Sequence, residues 1–180
     1  EDLVTALEAR FPYKRGNFDA VNNSATQIGK MLKMGEEEIK ELQMVAMLYE
    51  IGALYIPPEI LLKPGPLTEE ERKIVNGHPE LSVKLLSNVL KIQKVLPAIK
   101  HHHERYDGTG YPSGLKGEDI PLLSRIISVV DAYHSMTSVT PYRRKMTPEE
   151  AIEELKDKAG TQFDPHIVDV FVECLKKDRF

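Results

Sequence analysis

The sequence predicts an all-α fold, a single-domain helical bundle, and three observations carry that expectation. Apolar residues recur at spacings of three and four along most of the chain, which is the period of an amphipathic helix. Helix start signals punctuate it: Thr68 with Glu71 and Thr147 with Glu150 both read as capping boxes. Runs of alternating polarity long enough to build a sheet do not occur.

The elements follow in order. Val21, Ala25, Ile28 and Leu32 make one apolar stripe that ends before Gly35, and Ile39, Leu42, Ala46 and Tyr49 make a second. Thr68 opens a third helical region. Another helix begins near Pro97 and runs into three consecutive histidines, His101, His102 and His103. Ile126 to Val130 form an apolar run leading to Asp131. Pro148 occupies the first helical position behind the Thr147 cap, and Asp164 before Pro165 starts the last helix. This reading gives about eight to ten helices. Residues 104–121 break the pattern with four glycines and two prolines, so a shaped loop is expected there, with Gly108 and Gly110 taking backbone angles that other residues resist.

Composition bounds the function. The chain has 180 residues, 41% hydrophobic and 29% charged, which excludes wholesale disorder and fits one domain over residues 1–180. A net charge of −4 with Lys and Arg dispersed argues against binding a nucleic-acid duplex. The single cysteine, Cys174, permits no intrachain disulfide; it reads as a small apolar residue of the last helix, and a reducing, cytoplasmic setting is expected. No apolar run approaches the ~20 residues of a membrane helix. The sequence begins at Glu1, and we expect a domain excised from a longer protein.

Some residues call for chemistry. His103 lies four residues after Ile99 and His102 three after, so both are expected on the buried side of their helix, with His101 pointing away. Paired interior imidazoles are costly unless something binds them, and a divalent metal is their natural partner. The alternative is a helix C-terminus decorated with histidines that favour its dipole. Asp131 shares a buried face with Ile127, so its carboxylate needs a metal, another cation or several donors. Taken alone, His78 in the segment GHPE reads as a capping or surface histidine, Glu50 as a solvated helix-end charge, and His134 and His166 as unremarkable.

The segment HHERYDGTGYP, residues 102–112, resembles the signature of the HD-GYP family. The resemblance extends through LKPGPLT (62–68), GHPE (77–80), GLKGEDIP (114–121), VVDAYHSMTS (129–138), PYR (141–143) and GTQFDP (160–165), and reaches back to LVTALEARFPY (3–13). It implies an all-α metal-dependent phosphohydrolase of bacterial signalling that hydrolyses cyclic di-GMP with two or three ions, usually iron or manganese. It places metal ligands at His78, His102, His103 and Asp131, a phosphate-binding arginine at Arg143, and a partner-docking loop at Asp107, Gly108, Gly110, Tyr111 and Pro112.

Departures accompany the matches. The resemblance sets Tyr49-Glu50 at the family's His-Asp pair, Asn17 at an upstream ligand histidine, Ala53 at a lysine and Thr140 at a second phosphate-binding arginine. A phenol with an ordinary pKa near 10 is a poor substitute for an imidazole ligand. Tyr49 also completes an apolar stripe, and Asn17 heads another, where a helix cap is the plain reading. Glu50 keeps a carboxylate and adds a methylene. Three imidazoles with Glu50 still suit one divalent ion. The expectation is therefore one divalent metal (Fe, Mn or another) or none, in a catalytically impaired domain that acts as a regulatory or interaction module. Its partners would be cyclic di-GMP or a related dinucleotide, with Arg105, Lys116, Arg143, Arg144 and Lys145 as candidate phosphate-attracting cations, and other signalling domains through the loop. The alternative is an active phosphodiesterase on cyclic di-GMP or another phosphoester, using Glu50 with an altered metal set.

Overall fold

A computed structural model describes residues 17–139 and 144–177 of the chain. The bundle is all-α, as the periodicity predicts. Its helices are α1 (Asn17–Met31), α2 (Glu36–Leu48), α3 (Pro58–Leu61), α4 (Glu69–Asn76), α5 (His78–Leu86), α6 (Leu96–Lys100), α7 (Leu122–Thr137), α8 (Pro148–Asp157) and α9 (Pro165–Lys177). Short 3-10 turns at Ile51–Tyr55, Leu90–Val95 and Gly117–Asp119 join some of them. Among the described residues no helix is long and apolar enough to cross a membrane.

The stripes become the core. Val21, Ala25 and Ile28 of α1 and Leu42, Val45 and Ala46 of α2 are fully enclosed where the two helices pack together. Gly29 allows that approach, since a Cβ there would meet Leu42 Cδ2 at 3.3 Å. The turn between them closes through Met34 N–H to Gly29 O, with Lys33 at φ +57°. At the centre lies α7, which packs on α1, α2, α6, α8 and α9. Its residues Ile126, Ile127, Val129 and Val130 are inaccessible, because a helix apolar on several faces must be covered on all of them. Cys174 is buried on α9, as expected.

The local signals behave as physical chemistry requires. Thr68 accepts from Glu71 N–H while Glu71 accepts from Thr68 N–H, and Thr147 and Glu150 repeat the exchange. Asp164 Oδ1 accepts from His166 N–H in the first turn of α9, and Asp164 Oδ2 receives Arg125 Nη1 at 2.7 Å, tying α9 to α7.

Two tertiary contacts fix where the site will sit. Gly52, in the first 3-10 turn, lies so close to α5 that a Cβ would meet His78 O at 2.1 Å and Ser82 N at 2.7 Å. Ser82 Oγ accepts from Gly52 N–H at 2.8 Å and shares its own proton between the carbonyls of Tyr49 and His78, at 3.1 and 3.0 Å. One buried hydroxyl thus joins the 49–52 turn to the start of α5.

His134 is half-buried between α7 and α1, with Nε2 2.8 Å from Ser24 Oγ. Desolvation pulls its pKa from 6.5 down to about 4, against the raising effect of a hydrogen bond that the ring donates to the Ala20 carbonyl. The folded state therefore binds fewer protons than the unfolded state between these values, so stability is full above pH 6.5 and declines as pH falls towards 4. At 1.36 kcal/mol per pH unit the loss is at most ~3 kcal/mol, and partial solvent access cuts it to about 2. Urea unfolding at pH 7 and pH 4.5 should show His134→Gln losing less stability on acidification than the parent chain; equal losses would contradict this. Gly52→Ala should cost about 2–3 kcal/mol in the same assay, since its backbone neighbours cannot yield cheaply.

Candidate metal centre

Three imidazoles meet beneath the 104–117 loop. One ring nitrogen each from His78, His102 and His103 lies within 4.8 Å of the others. His78 is the first residue of α5 and is buried, not a surface cap. The helix before the histidine run ends at Lys100, so His101–His103 form the following turn. This corrects the expected helix face in one respect. His102 is buried and His103 half-buried, but His101 does not point away to solvent: its Nδ1 lies 3.2 Å from Glu104 Oε1.

Hydrogen bonding fixes the chemistry of two of these rings. His78 Nδ1 sits 2.7 Å from Val75 O, and His102 Nδ1 sits 2.6 Å from Ile99 O. A carbonyl only accepts, so each Nδ1 carries a proton, and Nε2 is the ring nitrogen left to meet another partner. The two Nε2 atoms face each other at 3.3 Å. At that distance the two nitrogens either share a proton in a hydrogen bond or bind one cation together. The anchoring N–H to carbonyl bond is also the usual outer support of a metal-bound histidine. The donor set therefore fits a divalent ion of the type that imidazole binds.

Glu50 adjoins the trio. It is 6% exposed, which corrects the reading of it as a solvated helix end, and its Oε2 is 3.7 Å from His78 Nε2. The Ser82 clamp on the 49–52 turn places it there.

Asp131 has a different partner. Its Oδ1 receives the Tyr49 hydroxyl at 2.7 Å, and it lies outside the three-imidazole group. Tyr49 is enclosed, its ring edge-on to His102 at 5.1 Å and tilted against Phe18 at 6.2 Å. Burial first, then the Asp131 and Glu50 charges, push the Tyr49 phenol well above its ordinary range, so it keeps its proton and donates it. The packed-aromatic reading of Tyr49 thus gains a polar function. Asn17 is buried at the start of α1, and Ala53 is buried in the 3-10 turn, with its N–H donated to Glu50 O. Arg143, with Thr140, lies outside the described residues.

The loop above the imidazoles is closely tied down. Glu104, 4% exposed, accepts from Ser113 N–H at 2.7 Å and Leu115 N–H at 3.2 Å. Asp107 accepts from the Thr109 N–H and hydroxyl and from Arg105, and these bonds hold its carboxyl down at about 2. Gly108 adopts φ +85° as expected. Gly110 is required for another reason: a Cβ would meet Arg105 N at 2.2 Å and Glu104 Cα at 2.6 Å. Tyr111 turns inward and stacks on the His103 ring, with centroids 5.0 Å apart. Pro112 follows it through a cis peptide bond. Thr109, Ser113, Gly114 and Lys116 form the exposed rim. Sequence reasoning did not single out Ser82 or Glu104. Nothing local marks Ser82, whereas a carboxylate directly before a glycine-rich loop was a usable signal for Glu104.

Beside His103 and Asp131 opens a cavity of about 260 Å³ between α7 and α8, with Arg105, Ser128, Lys158 and Gln162 in its wall. Of the cations proposed from sequence, Arg105 faces this cavity but is paired with Asp107, and Arg144 is paired with Glu150.

Residues 3–167 match the HD domain family model. The chain is 37% identical over 172 residues to the cyclic di-GMP phosphodiesterase response regulator RpfG of Xanthomonas campestris, covering 94% of this chain and 46% of that protein. It is 37% identical over 153 residues to a cyclic di-GMP phosphodiesterase of Thermotoga maritima, covering 84% and 42%. The crystal structure of a cyclic GMP-AMP specific phosphodiesterase of V. cholerae (V-cGAP3) shares the fold with a TM-score of 0.75 at 21% identity, over 98% of this chain and 48% of that one. The chain thus spans less than half the length of these relatives.

The Tyr49 to Asp131 bond is a hydrogen bond to a charged acceptor. Tyr49→Phe should lower stability by ~1.5–3 kcal/mol. Urea unfolding in EDTA measures this without metal linkage, and an unchanged midpoint would show that the bond contributes nothing.

Proposed function

The chain belongs to the HD domain family, and we propose that it is a degenerate, mononuclear member: a module of cyclic dinucleotide signalling with impaired phosphodiester hydrolysis. The observation that carries the reading is the contrast between the two ends of the site. Three imidazoles converge, two of them with Nε2 atoms 3.3 Å apart, while Asp131 is engaged by the Tyr49 phenol.

His78, His102 and His103 would hold one divalent ion, with Glu50 beside them. Such an ion, when bound, polarises a phosphoryl oxygen and makes water a better nucleophile. The protein's own residues decide the rest. Tyr49 donates to Asp131, and its buried ring fills space against His102 and Phe18, so the Asp131 end of the site has a proton where a dinuclear hydrolase would place a second cation. Ala53 brings no ammonium to a phosphate. The cavity beside Asp131 would take part of a dinucleotide, with Arg105 and Lys158, each paired with a neighbouring aspartate, as the cations of its wall. Binding with little turnover suits a regulatory module, as an output part of a longer signalling protein in a reducing, cytoplasmic setting. The exposed rim of the 104–117 loop would face its partner domains.

A second reading rests on Glu50. Its carboxylate is buried beside His78, at 3.7 Å, so an active cyclic dinucleotide phosphodiesterase with an altered ligand set remains the alternative.

Purified protein loaded with Mn²⁺ or Fe²⁺ should retain one ion per chain by elemental analysis, lose it in His102→Ala, and yield little or no linear product from cyclic di-GMP. Asn17→His combined with Tyr49→His should raise the ion content if the second position is only blocked. Two tightly held ions in the parent chain would overturn the mononuclear reading. Turnover abolished by Glu50→Gln and by His102→Ala would establish the alternative.

A further inference from the structure

His78 and His102 are each aligned by an Nδ1–H bond to a backbone carbonyl three residues earlier, Val75 O and Ile99 O. His103 follows the helix end at Lys100 and is the most exposed of the three. Two contacts reach it from one residue of the loop. The Tyr111 ring lies 5.0 Å from the His103 ring, 29° from parallel, and the Tyr111 N–H donates to His103 O at 3.3 Å. Tyr111 therefore grips both the backbone and the side chain of the third imidazole.

The loop is shaped to bring Tyr111 there. Gly110 presses on the backbone of Glu104 and Arg105 at distances no side chain allows. On the other side, Glu104 collects the N–H groups of Ser113 and Leu115, so the segment crosses over the histidine turn and is bonded back to it. Gly117 N–H to Tyr106 O closes the base of the loop. A buried carboxylate serving loop amides, a glycine without room for a methyl group and a ring stacked on an imidazole all act on one object, the orientation of His103.

We infer that Tyr111 is a positioning residue for His103, so that the 104–117 loop sets the affinity of the three-imidazole site for a divalent ion. This inference rests on the mononuclear reading above. Offset stacking of two rings restricts the imidazole to a narrow range of tilts. Losing it leaves His103 to find its ligating orientation at an entropic cost, as when any outer support of a metal ligand is removed.

Calorimetric titration with Mn²⁺ tests it. Tyr111→Ala and the bulk-preserving Tyr111→Leu should each weaken binding about tenfold. Tyr111→Phe, which keeps a ring, should stay within about twofold of the parent chain. In a His103→Ala background, Tyr111→Leu should change the affinity no further, because the group it acts through is gone. In the metal-free protein, the His103 ring protons should show an upfield ring-current shift that survives Tyr111→Phe and disappears in Tyr111→Leu. A Tyr111→Leu affinity equal to that of the parent chain, or the same loss in the His103→Ala background, would overturn the inference while leaving the metal site standing. A parent chain that takes up no Mn²⁺ would remove the mononuclear reading and the inference together.

Discussion

Two imidazole nitrogens that face each other across 3.3 Å organise this molecule's site. Ordinary backbone bonding sets them there: Val75 O and Ile99 O each claim an Nδ1 proton, and the Nε2 atoms of His78 and His102 are turned towards each other. Such a pair can share one proton, and the same spacing suits two imidazoles binding one metal ion. The rest of the local structure serves to keep the rings there. Ser82 joins the start of α5 to the 49–52 turn, Gly52 lets the two backbones meet, and α6 ends in time for the histidine run to turn back under the loop.

The other end of the site follows the opposite logic. A carboxylate half-buried on α7 needs compensation, and Tyr49 supplies a neutral donor. The phenol holds its proton because burial and two nearby carboxylates all disfavour its anion. Tyr49 is at once a core aromatic and the partner of Asp131. A single side chain thus ties the packing of α2 to the electrostatics of α7.

How much of this was legible beforehand depended on how local each feature is. The stripes of α1 and α2 and the Thr68 and Thr147 caps follow from neighbours in sequence, and they appear as expected. The convergence of His78, 24 residues from His102, came only through the family resemblance, because spacing along the chain carries no such distance. The Tyr49 to Asp131 bond joins residues 82 apart, and Ser82 reaches Tyr49 across 33, so neither could be read from a window of sequence. His101 was misplaced because the helix was carried through the histidines, whereas it stops at Lys100. Glu50 looked solvated because a helix end is usually exposed; here a 3-10 turn folds that end against α5. For Gly110 the residue type was read correctly and its cause was not: close approach, and not an unusual angle, requires it.

The central claim is that the site holds one cation among three imidazoles while Asp131 is kept by Tyr49. Anomalous scattering from a crystal of the protein grown with Mn²⁺ tests it most directly. The account predicts a single peak between His78, His102 and His103, with the Tyr49 hydroxyl still within hydrogen-bond distance of Asp131. Two peaks, with Asp131 swung onto the second ion, would contradict it.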